Sequence, residues 1–191
     1  MKKPRVPKSK PACSFDTDHL SLKLRITLAA DRNAVDAVVQ RVMGIVRDQK
    51  CIEGKEDAIE LALTEALANA VVHGAKGDPT KTVECDVACD QQRGILIVVR
   101  DPGPGFDPGT IPNPCVGENV YSNHGRGIFL INQLMDEVKF ARNGTEIHMT
   151  YGRGTLHSRD VSAVNPSNRL ESRSHPPSTS TKVTFVVTQL R

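Results

Sequence analysis

At 191 residues the chain is long enough for one domain with a buried core plus tails, and no apolar run approaches the roughly 18 residues a membrane helix needs. Trp is absent and aromatics make up 4% of the chain, so the core has to be aliphatic. The net charge of +3 hides a division: residues 1–12 carry five Lys/Arg and no acid, residues 153–191 carry six against two acids, and the body between has fourteen basic and twenty acidic residues, a balance that argues against nucleic-acid binding as the main task. The N-terminal MKKPRVPKSKPA is basic, but no apolar stretch follows it, so it does not read as a secretory signal. The five cysteines (Cys13, Cys51, Cys85, Cys89 and Cys115) are odd in number and show no metal spacing, which predicts reduced thiols and a cytoplasmic compartment.

Taken in order, residues 1–17 are rich in Pro and Lys and are expected to be disordered. HLSLKLRITL, residues 19–28, alternates with Leu20, Leu22, Leu24 and Ile26 on one face, the pattern of a half-buried strand. Asp31 resembles a helix N-cap, and the following segment carries a helical stripe through Val35, Val38, Val39, Val42, Ile45 and Val46. After a break at 51–54, residues 56–74 read as a second helix, rich in Ala, Leu and Glu and free of Pro. VECDVACD alternates again, QQRG turns, and ILIVVR is a continuous apolar run, so the pair reads as an antiparallel hairpin whose second strand is central or covered on both faces. Residues 101–123 form a long loop rich in Gly, Pro and Asn, of the kind that is usually functional. GRGIFLINQLMDEVKF predicts a helix with Ile128, Ile131, Leu134, Met135 and Val138 inward; Arg142–Gly144 is a turn and TEIHMTY a strand. The 152–180 segment reads as a linker, and TKVTFVVTQL as an added strand at the sheet edge. The order β-α-α-β-β-loop-α-β, with paired helices, fits an α/β (α+β) two-layer sandwich: a mixed or antiparallel sheet with helices packed on one face.

Three short motifs carry the chemistry. On the second helix Glu65, Asn69 and His73 recur every four residues beside the apolar stripe, so a carboxylate, an amide and an imidazole share one face. Asp101-Pro-Gly-Pro-Gly105 follows directly on the apolar strand; its aspartate is placed to accept hydrogen bonds from a donor such as an adenine amino group, and its glycines permit close approach of a ligand. His124-Gly-Arg-Gly127 opens a helix, whose free N–H groups and positive dipole end suit phosphate, with Arg126 adding a charge-assisted contact. Singly, each has a plainer reading: a solvated helix edge, a Pro/Gly turn and a glycine-broken helix start.

In fixed order, E-x-x-x-N-A on a helix, D-x-G-x-G after a strand and G-x-G opening a helix resemble the three nucleotide-binding boxes of the GHKL ATPase superfamily. EALANAVVHG is similar to bacterial anti-sigma serine kinases of the RsbW and anti-sigma F type. The resemblance covers about residues 19–151; Walker, protein-kinase and dinucleotide motifs are absent. It implies the Bergerat fold, and a division into a basic N-terminus (1–17), a histidine kinase-like ATPase domain (18–152) and a tail (153–191).

The resemblance also implies roles. Asn69 would ligate Mg²⁺, Asp101 would read the adenine, Gly103 and Gly105 would let the base lie against the strand end, Gly125, Arg126 and Gly127 would hold phosphates, and the Thr145 hydroxyl would support Asp101 and the adenine. Glu65 would be the general base, taking the proton of a serine hydroxyl as it attacks the γ-phosphoryl group of ATP. His73 matches the family's His-Gly pair, with a structural role expected. The implied partners are a STAS-type anti-anti-sigma protein as substrate and a sigma factor; kinases of this kind often form homodimers, and neither nucleic acid nor membrane is implied. The resemblance is imperfect: Pro102 and Pro104 stiffen the adenine loop, the lid between Gly109 and His124 is short, and the tail has no family counterpart. Two other readings stay open: a non-catalytic, ATP-gated partner switch, and a detached histidine-kinase catalytic domain, against which stands the lack of any histidine in 31–48.

Overall fold

The computed structural model describes residues 22–110, 126–152 and 183–189. Expectations for residues 1–17, for Leu20, for the lid beyond Thr110, for Cys13 and Cys115, for Gly125 and for the 152–180 linker beyond Gly152 lie outside the described residues.

The chain begins with β1 (Leu22–Ala29), whose alternation buries Leu22, Leu24, Ile26 and Leu28. Asp31 caps α1 (Arg32–Asp48) by accepting the Asn33 N–H at 2.9 Å, as its position predicted. α2 (Glu56–Asn69) packs along α1, and Glu60 ties the two helices by accepting from Gln40 (2.8 Å) and Arg47 (2.6 Å). The expected helix to Gly74 ends earlier. From Ala70 the turn widens into a π-helix, Ala70–Gly74, closed by Ala75 N–H donating to the Ala70 carbonyl at 2.8 Å.

β2 (Thr82–Asp90) and β3 (Gly94–Arg100) form the expected hairpin. α3 (Arg126–Leu134) is shorter than its pattern suggested, and the VKF that continued the helical stripe lies instead in β4 (Glu137–Ala141). The reason is tertiary: β4 pairs with β5 (Glu146–Tyr151), setting Val138 beside Met149 and Phe140 beside Ile147, and Asp136 N–H donates to the Thr150 carbonyl. Val138 still packs on the core, so its inward position is kept while its element changes. β6 (Val183–Gln189) pairs antiparallel with β1.

The sheet is antiparallel throughout, in the order β4-β5-β3-β2-β1-β6. The helices cover one face, and Ile95, Ile97 and Val99 of central β3 join them in the main core. On the opposite face Leu96 and Val98 form a small cluster with Ala88, which explains why β3 reads as a continuous apolar run.

The cysteines correct one expectation. Cys51, in the α1–α2 connection, and Cys89, at the end of β2, are bonded as a disulfide with Cα atoms 6.1 Å apart. Thirty-eight positions separate them, and the fold alone brings them together. Cys85 is a free thiol, and burial pushes its pKa up to about 12. The thiol argument for a reducing compartment therefore does not hold. Among the described residues no helix is long and apolar enough to cross a membrane.

Candidate functional site

The end of α2 and the π-turn bring two clusters side by side. In the first, Glu65 and Asn69 stand one turn apart, both half-buried, and the start of α3 closes over them. The approach is so close that a Cβ placed on Gly127 would lie 2.6 Å from Glu65 Oε2 and 3.1 Å from Asn69 Nδ2. Only glycine fits there without displacing the two polar groups. Among the described residues, neither the Glu65 carboxylate nor the Asn69 amide has a hydrogen-bond partner in the protein. A half-buried carboxylate and amide left in that condition are suited to an external ligand or a hydrated cation.

In the second cluster, Asp101 leaves the end of β3 and sits under the π-turn. A Cβ on Gly74 would fall within its carboxylate, and one on Gly103 would come within 2.7 Å of Asp101 Oδ1 and of the Gly74 carbonyl. The Gly103 N–H donates to Asp101 Oδ1 at 2.8 Å, which leaves Oδ2 as the free acceptor among the described residues. Burial raises the Asp101 pKa above the usual carboxylate value, with the Gly103 hydrogen bond pulling the other way. The loop beyond is held by the turn between β4 and β5: Asp101 N–H donates to the Thr145 carbonyl (3.0 Å) and Phe106 N–H to the Asn143 carbonyl (2.8 Å). Gly105, at φ +80°, lies against that same Asn143 carbonyl, where a side chain has no room.

The β3 end is braced from the opposite face. Arg100 donates to Asp86 on β2 (2.6 Å) and to Glu146 on β5 (2.6 Å), and Arg25 adds a second contact to Asp86. Burial alone would raise both carboxyls; hydrogen bonds from Arg25 and Arg100 outweigh it at Asp86, and those from His148 and Arg100 at Glu146, so both titrate below the usual range. Arg100 thereby fixes the strand position immediately before Asp101 on both sides.

Of the residues singled out from sequence, Glu65, Asn69 and Gly127 meet in one cluster, and Asp101, Gly103 and Gly105 in the other. The five-residue turn Ala70–Gly74 joins them. Arg126 is the exposed first residue of α3, beside the first cluster. Thr145 touches the second cluster differently from the expectation: its hydroxyl donates to the Arg142 carbonyl at 2.8 Å, and its link to Asp101 runs through the backbone. His73 is exposed in the π-turn. Gly74, which clears the Asp101 carboxylate, is a site residue that the sequence motifs do not single out. The signal was its place directly after the helix carrying Glu65 and Asn69, but only the fold shows what it must clear.

A protein-family model described as "Histidine kinase-like ATPase domain" matches residues 28–151. The chain belongs to this family. Its two clusters thus lie within the span that histidine kinase-like ATPase domains share, whereas β6 falls outside it. Among curated relatives, the anti-sigma F factor of Bacillus cytotoxicus is 30% identical over 97 residues, covering 48% of this chain and 66% of that protein. The serine-protein kinase RsbW of Bacillus licheniformis is 33% identical over 99 residues, covering 48% of this chain and 61% of that protein. The anti-sigma F factor of Bacillus thuringiensis is 29% identical over 97 residues. The matches thus span less than two thirds of the length of these relatives.

Proposed function

We propose that the chain is an ATP-dependent protein-serine kinase and anti-sigma factor, which phosphorylates a STAS-type anti-anti-sigma protein and sequesters a sigma factor in the cytoplasm. The observation that carries this reading is the pair of half-buried polar side chains, Glu65 and Asn69, without a hydrogen-bond partner among the described residues, held against Gly127 and joined by one turn to Asp101, whose Oδ2 is likewise without one. The names of the relatives, anti-sigma F factor and serine-protein kinase RsbW, supply the class of partner.

In this reading Asp101 Oδ2 accepts from the exocyclic amino group of adenine, and Gly103 and Gly105 leave space for the base. Arg126 and Gly127, the first residues of α3, receive the phosphates together with Gly125, the positive end of the helix dipole favouring the anion. The Asn69 amide oxygen is a hard donor suited to Mg²⁺, which when bound neutralises phosphate charge. Glu65 accepts the serine hydroxyl proton as that oxygen forms its bond to the γ-phosphorus and the bond to the β,γ-bridging oxygen breaks, so that ADP leaves. Most of the acceleration comes from positioning and charge neutralisation.

The test is incubation of the full chain with labelled ATP, Mg²⁺ and a STAS-type anti-anti-sigma protein. Labelled phosphoserine on the STAS protein is the expected product, and Glu65→Gln should bind ATP yet transfer nothing. ATP binding without transfer to a folded partner would replace the kinase with a non-catalytic, ATP-gated partner switch.

A further inference from the structure

The face of α2 that carries Glu65 continues toward the N-terminal end of the helix. Positions four apart stack on one helical face, and Asp57, Leu61, Glu65 and Asn69 form such a row. The core-facing side of α2 is complete without Leu61: Leu63 and Leu67 are fully buried there. Glu60 is drawn the other way, to α1, by Gln40 and Arg47. Leu61 is left at the surface, 41% exposed, and is one of three large hydrophobic side chains exposed among the described residues.

A single leucine on a protein surface is ordinary. The place of this one is not, because it stands one turn from the Glu65 carboxylate on the same face. Four helical residues rise about 6 Å along the axis. In an extended segment, a side chain two positions away on the same side lies roughly 6.6 Å off. A serine delivered to Glu65 therefore brings a neighbouring side chain over Leu61. The surface between them admits such an approach. Ala58 and Ala68, half-buried on the same side of α2, carry only methyl groups, and α2 has no Lys or Arg to reach across Glu65. Asn69 and the start of α3, where ATP and Mg²⁺ are placed, lie at the opposite end of the row.

Resting on the kinase reading above, we propose that Leu61 is a specificity-determining contact for the protein substrate. It receives an apolar side chain about 6 Å from the phosphoacceptor serine, one turn along the helix face. The substrate class is thus a serine with an apolar neighbour at that distance, and a serine in a wholly polar stretch is a poor substrate. Leu61 contributes to binding of the protein substrate and not of the nucleotide.

The test is phosphotransfer from ATP to a STAS-type anti-anti-sigma protein over a range of its concentration, with the parent, Leu61→Met, Leu61→Ala and Leu61→Asp. Because Leu61 is exposed, the variants should unfold in urea close to the parent. Leu61→Ala should raise KM for the STAS-type protein about fivefold, and Leu61→Asp about tenfold or more. Both should keep kcat and calorimetric ATP affinity within about twofold of the parent, the pattern of a lost binding contact. Leu61→Met retains an adaptable apolar side chain and should keep a near-parental KM. Parental KM in Leu61→Asp, with the parent active, overturns the proposal and leaves the kinase reading standing. A loss confined to kcat or ATP affinity also overturns it, since that is what a structural role in α2 would give. A parent that phosphorylates nothing ends the kinase reading and the Leu61 contact together.

Discussion

Gly127→Ala separates the site from the fold. The added methyl would lie 2.6 Å from Glu65 Oε2 and 3.1 Å from Asn69 Nδ2. To reach ordinary contact the carboxylate must retreat by roughly 0.8 Å and the amide by a few tenths of an ångström. Both atoms end flexible side chains, so the movement costs the fold little, and replacing glycine in a helix returns up to about 1 kcal/mol of propensity. Net stability should therefore stay within about 1 kcal/mol of the parent, read by urea unfolding. Function should not be spared, because a displacement near 1 Å at a reacting group costs on the order of 100-fold. Phosphotransfer to the STAS protein should fall by about that factor, with a smaller loss of ATP affinity. On ATP affinity, Gly127→Ala and Asn69→Ala should be non-additive, since both act on one contact. Parental turnover and affinity in Gly127→Ala would refute the placement of α3 over Glu65 and Asn69.

Asp101→Asn should keep the Gly103 hydrogen bond while removing a charge that burial disfavours. Because the folded pKa is raised, the ionised form costs stability, which returns as pH falls through that pKa; the neutral amide should melt no lower than the parent at pH 7, yet bind ATP about 10- to 100-fold more weakly by calorimetry. Reducing Cys51–Cys89, which closes a loop across 38 positions, should lower unfolding stability by about 4 kcal/mol on the chain-entropy estimate, and equal stability with and without reductant would show that the thiols are not bonded in solution. Asp86 and Glu146 have depressed folded pKa values, so their contribution is present above the unfolded carboxylate pKa and lost as pH falls below about 4. Arg100→Met should flatten that acid limb in a stability-versus-pH series; an unchanged limb would mean the Arg100 contacts do not set it.

Much of the fold lies in local periodicity. The alternation in β1 and β2, the stripe of α1 and the unbroken run of β3 each report which faces meet the core, and these elements form where their patterns point. The failures share a cause: they were decided by partners distant in sequence. Val138 satisfies a helical stripe and a strand alternation equally well, and pairing with Met149 on β5 chose the strand. Cys51 and Cys89 carry no spacing signal because α2 and most of β2 separate them. The π-turn leaves no mark in AVVHG that distinguishes it from a further α-turn. At the site, the order of Glu65, Asn69, Asp101 and Gly127 was legible as a set of motifs. That Gly127 closes on Glu65 and Asn69, and Gly74 on Asp101, is a matter of packing that no single motif encodes.

The proposed function requires that these segments enclose one adenine nucleotide with magnesium. Calorimetric titration of the full chain with ATP and GTP, each with and without Mg²⁺, tests it directly. One ATP should saturate each chain, with clear dependence on Mg²⁺, and GTP should bind at least about 100-fold more weakly, because Asp101 can accept from the adenine amino group and not from the guanine carbonyl in its place. Absence of ATP binding, or GTP bound as tightly as ATP, would contradict it.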